Sequence, residues 1–89
     1  MNTVELLESA LVAVKKLGYR VRTEVLDEGT TGGVAIFGGR RWLFLDARQK
    51  PIEHLHEVLE VLRGHAGDPR LQPSAELGRL IELPKRKAA

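Results

Sequence analysis

Cysteine is absent from this 89-residue chain, so disulfides, thiolate metal sites and thiol nucleophiles are excluded. That absence suits a reducing cytoplasm, the expected location. Long apolar runs are missing too. None exceeds residues 10–14, far short of the ~20 needed to span a bilayer, so no membrane segment is expected. The first residues carry Glu5 and Glu8, where a secretory signal would have a positive stretch and a long apolar core. Aromatic residues amount to only 4%, which leaves little material for stacking. An excess of one charge sign is also lacking. Lys85, Arg86 and Lys87 account for three of the 14 basic residues, and without them the acidic residues outnumber the basic by one. The body of the chain therefore projects no strong field toward a polyanion, and the basic character belongs to its end.

The length fits one domain, expected over residues 1–84, with residues 85–89 as a basic disordered tail. A chain of this size buries about 60–65% of the surface it exposes when unfolded. Association with a second subunit would add to a small stability margin.

Hydrophobic periodicity predicts an α+β domain: helix, three-stranded antiparallel meander, helix, short C-terminal helix (α-β-β-β-α-α). Asn2 and Glu5 have capping-box spacing. Val4, Leu7, Leu11 and Val14 then recur at helical intervals, widened by Leu6, Ala10, Ala13 and Leu17, and Gly18 stands where many helices close. From Tyr19 the period becomes two. Tyr19, Val21, Thr23 and Val25 face one way and Arg20, Arg22 and Glu24 the other. A turn over residues 27–33 leads to strands at 34–37 and 42–46, joined by Gly38–Gly39, a pair suited to a tight hairpin. Pro51 opens the next helix, whose stripe is Ile52, Leu55, Val58, Leu59 and Leu62, and Gly64 ends it. Ser74 caps a last helix with Leu77, Leu80 and Ile81 on its buried side, and Pro84 stops it.

The second and third strands, Val34-Ala35-Ile36-Phe37 and Trp42-Leu43-Phe44-Leu45, are apolar at every position. Such strands require cover on both sides of their sheet. Either the short last helix supplies the second cover, or a partner subunit does.

The string Glu53-His54-Leu55-His56-Glu57-Val58-Leu59-Glu60 contains His-Glu-x-x-Glu, one substitution away from the zinc-peptidase signature His-Glu-x-x-His. His56, Glu57 and Glu60 are thus candidate metal ligands. On a helical wheel they lie opposite the apolar stripe, where a solvated face belongs, and no third ligand is nominated elsewhere. Glu53-x-x-His56 matches half of a di-iron carboxylate site, which needs a second such motif and two further glutamates.

The run from Leu17 through Gly32–Gly33, the strand Arg41-Trp42-Leu43-Phe44-Leu45-Asp46 and the helix from Pro51 resemble the N-terminal scaffold of ImmA/IrrE-type metallopeptidases. They also resemble small bacterial proteins of the same layout, in which membership implies no activity. The resemblance spans about half of the chain and implies a β-hairpin just before the zinc helix. The second histidine is missing, so the implied kinship is of scaffold and not of chemistry.

Arg20, Arg22, Arg40 and Arg41, with Lys85, Arg86 and Lys87, are candidate nucleic-acid contacts, and Trp42 could stack a base. Glu24, Asp27 and Glu28 interrupt that patch, and strand arginines also serve to discourage aggregation. The glycine-rich stretch 29–33 leads into a strand, whereas a phosphate loop opens a helix. No catalytic triad emerges, and His65 has only Asp68 as a neighbour in sequence. The expectation is a non-enzymatic interaction module without a cofactor. It would associate with itself as a homodimer, or with another protein, through Phe37, Trp42 and Phe44 as large anchors. Weak nucleic-acid binding and a degenerate metal-binding remnant are the alternatives.

Overall fold

The computed structural model describes residues 1–27 and 32–82. The basic run Lys85–Arg86–Lys87 and the stop at Pro84 lie outside the described residues. The element order is α1 (Thr3–Lys16), β1 (Tyr19–Glu24), β2 (Gly33–Phe37), β3 (Arg40–Asp46), α2 (Pro51–Arg63) and α3 (Ala75–Glu82), an α+β arrangement as the periodicity predicts.

Local signals act where the sequence puts them. The Asn2 Oδ1 accepts from the Glu5 N–H at 2.9 Å and the Glu5 carboxylate accepts from the Asn2 N–H at 3.0 Å, a complete capping box. Gly18 takes φ +97° after the helix, a conformation with a steric cost for any other residue. Gly38 and Gly39, at φ +62° and +73°, form a two-residue hairpin turn that sets Phe37 opposite Arg40. The Ser74 hydroxyl accepts from the Leu77 N–H at 3.3 Å at the start of α3.

The sheet is mixed, which corrects the expected antiparallel meander. Its order is β1-β3-β2, with β3 antiparallel to β2 but parallel to β1. β1 and β2 therefore flank β3, about 10 Å apart at normal strand spacing. The hairpin then returns β3, apolar on both sides, into the centre. The Arg48 guanidinium ties the ends of the parallel pair together. It donates to the Asp46 carboxylate at 3.0 Å and to the Leu26 carbonyl at 2.9 Å.

Tyr19, Leu43 and Leu45 point to one side of the sheet, into a core shared with Val14 and Leu17 from the end of α1, Val58 and Leu62 from α2, and Leu77 from α3. Each fully buried leucine contributes about 1.5–3 kcal/mol of transfer free energy. Three expected core positions lie outside it: Val4 is exposed on α1, Ile52 is exposed in the first turn of α2, and Val25 is exposed beyond the end of β1, where Leu26 is buried instead. The alternative in which the short last helix supplies the second cover is also corrected. That helix, α3, packs on α2 and α1, since Leu77 and Ile81 complete the core already formed there. Among the described residues no helix lies over the second side of the sheet.

Candidate functional site

That second side is built by alternation. Strand registers put Arg20, Arg22 and Glu24 of β1, Arg40, Trp42, Phe44 and Asp46 of β3, and Gly33, Ala35 and Phe37 of β2 on one surface. Phe37, Trp42 and Phe44 meet there. Phe37 lies 5.6 Å from Trp42 and 6.1 Å from Phe44, Trp42 lies 6.0 Å from Phe44, and the rings are inclined by only 11–23°. Three of the four aromatic side chains of the protein thus form one apolar cluster that faces outward, with Phe37 more than half exposed.

The charged residues divide between the two sides. Arg20 stands beside Trp42 in the register, with its guanidinium 5.9 Å from the ring centroid, and Arg22 pairs with Glu24 at 3.1 Å. Arg40 shares this side. Arg41, grouped with them on sequence grounds, is on the helix side with its guanidinium 5.0 Å from the Tyr19 ring. Tyr19 also shares a 2.7 Å hydrogen bond with His65 Nε2, and the two rings meet edge to face. Sequence reading missed this pair because 46 positions separate its members and no local pattern links them.

The acid-rich face of α2 lies opposite its buried stripe. His56 and Glu60 are exposed and Glu57 is half-buried, while Glu60 pairs with Arg63 at 3.1 Å. Glu53 accepts the Lys50 N–H at 3.0 Å as a helix cap, and His54 Nε2–H donates to the Asp46 carbonyl at 2.6 Å. Among the described residues, no three histidine or acidic side chains come together as metal ligands. A cleft of about 640 Å³ opens where β1 ends and β2 begins, lined by Leu26, Gly33, Ala35 and Phe44 and by the carboxylates of Glu24 and Asp27. No nucleophile–base pair faces it among the described residues.

Two aspartates are shifted by neighbouring arginines. The Arg70 side chain, reinforced by its backbone N–H, holds the Asp68 carboxyl down at about 2. Arg48 lowers Asp46 in the same way. A carboxyl lowered by folding stabilises the native state above its unfolded pKa of about 4 and loses that contribution as pH falls through its folded value. Urea midpoints should therefore fall between about pH 4 and pH 2, and Asp68→Asn should flatten that part of the profile. An unchanged acid limb in the variant contradicts the assignment.

Among the described residues no helix is long and apolar enough to cross a membrane. No protein-family model matches this chain, and neither does any curated protein or solved structure, so the likeness to the ImmA/IrrE scaffold rests on the sequence motifs alone.

Proposed function

We propose that this chain is a non-enzymatic, cytoplasmic interaction module that self-associates as a homodimer with Phe37, Trp42 and Phe44 as its anchors. The observation that carries this reading is the aromatic cluster on a side of the sheet that no described helix covers. Exposed apolar patches rimmed by polar residues mark interaction sites, and aromatic side chains supply most of the energy at such interfaces. A small chain gains stability from association, and a symmetric dimer is its commonest form.

Native mass spectrometry on untagged protein in gentle buffer tests the proposal. The expected result is a metal-free dimer that dissociates on dilution. A monomer throughout the micromolar range overturns it.

The second reading, nucleic-acid binding, is favoured by Arg20 over Trp42 with Arg22 and Arg40 on the same side. Glu24 and Asp46 at the other end of that surface oppose a polyanion. Retention of a single-stranded oligonucleotide at physiological salt would select this reading instead, because non-specific phosphate contacts weaken steeply with salt. About one zinc per chain, lost in His56→Ala, would select a metal-binding remnant.

A further inference from the structure

The two edges of the sheet are unlike. β1 carries Arg20, Arg22 and Glu24, charges that discourage another strand from adding to it. β2, Gly33-Val34-Ala35-Ile36-Phe37, has neither charge nor proline. Among the described residues, no helix covers it on either side. α1 lies against β1 and α2 against β3, leaving Val34 47% and Ile36 70% exposed on the helix side, while Phe37 is 53% exposed on the open side. An edge strand of this composition is a template for pairing.

We propose that β2 pairs antiparallel with the β2 strand of a second copy about a two-fold axis at Ala35, merging the two sheets into one continuous sheet. The inference rests on the self-association reading and specifies its contact. The sequence of β2 is self-complementary about Ala35. On the helix side, Val34 meets the partner's Ile36 and Ile36 meets the partner's Val34, so that both exposed aliphatic residues are covered by cross-strand pairs. On the open side, Phe37 lies over the partner's Gly33, an aromatic ring shielding an edge glycine, and the small Ala35 faces itself at the axis. Within each chain Gly33 is the register partner of Phe44, so the incoming ring reaches the neighbouring aromatic cluster and the two clusters become one. This register pairs every residue of β2. Shifting the axis to Ile36 leaves Gly33 and Val34 unpaired and Ile36 against itself. The partner is therefore a second copy of this chain, the one strand whose size pattern is sure to mirror that of β2.

The absence of cysteine makes the test clean. Directly opposed residues of antiparallel strands have Cα atoms about 4.5–5.5 Å apart, within disulfide reach. Ala35→Cys should form a covalent dimer under mild oxidation. A mixture of Val34→Cys and Ile36→Cys should cross-link into the mixed dimer faster than either variant alone, and Arg22→Cys on the opposite edge should form no covalent dimer while still associating. Positions 34 and 36 lie on the helix side, so two open sides stacked face to face cannot cross-link them. Ile36→Lys, at a position exposed within the chain, should weaken dimerisation about 30-fold or more. A dimer in native mass spectrometry without the Val34–Ile36 cross-link overturns the edge pairing and leaves self-association standing. A cross-link at Ala35 alone has the same consequence. A monomer with no cross-link at any position overturns both.

Discussion

Leu43→Ala is expected to lose about 3 kcal/mol of folding free energy, within the ~2–5 kcal/mol range for truncating a buried leucine. Leu43 is fully buried on the central strand, between Val21 of β1 and Val34 of β2 in the register, and its side chain points into the core shared by all three helices. The cavity would be bounded by strands on both flanks and helices above, so the site has little freedom to collapse. A domain of this size has a total stability of roughly 5–12 kcal/mol, so the loss is about a quarter to three-fifths of it. With a urea slope near 1 kcal/mol/M for a small protein, the midpoint should drop by about 3 M. Phe44→Ala, one position along but on the open side, should cost about 1 kcal/mol or less when measured on dilute monomer, because little of the core is disturbed. The contrast between adjacent residues is the informative result. Equal losses at the two positions would mean that the open side is covered within a single chain, against the burial pattern of β3.

Much of this architecture is legible in the sequence because its causes are local. The Asn2–Glu5 box, Gly18, Pro51 and Ser74 mark helix boundaries through hydrogen bonds and dihedral angles that involve only near neighbours. The aromatic cluster was half legible. Period-two alternation puts Trp42 and Phe44 on one side, and the two-residue Gly38–Gly39 turn sets Phe37 opposite Arg40, which places Phe37 with them. The strand order was harder, because alternation says which way a side chain points and nothing about which strand lies alongside. One signal favoured the mixed sheet, since residues 25–32 are longer than a tight hairpin needs; the apolar runs do not decide, because β2 and β3 are each apolar at four consecutive positions. The position of α3 was not legible. An amphipathic helix announces that it will bury Leu77 and Ile81, but whether against a sheet or against α2 depends on the shape of a core formed by residues distant in sequence. The same applies to Arg41. Its separation from Arg20 and Arg40 follows from strand register, not from composition.

Phe37→Ala is expected to abolish self-association at micromolar concentration while leaving the fold nearly intact. Its ring is more than half exposed, and its stacking on Trp42 and Phe44 is worth about 1 kcal/mol. In a symmetric dimer the substitution removes the ring twice. At about 1.5–2 kcal/mol for each anchor, the loss of 3–4 kcal/mol raises the dissociation constant roughly 100- to 1000-fold. The single tryptophan supplies the readout, since Trp42 is stacked directly on Phe37. In the unsubstituted protein, its emission should shift with concentration in step with sedimentation-derived mass, as the interface removes it from water. In Phe37→Ala both signals should stay at the monomer value. Val12→Ala, at an exposed apolar position on α1 away from the sheet, serves as the control and should dimerise normally. If Phe37→Ala and the control associate equally well, neither the aromatic cluster nor the β2 edge is the contact. The same outcome would leave the open side of the sheet to the oligonucleotide test, where Arg20 and Trp42 are the residues to substitute.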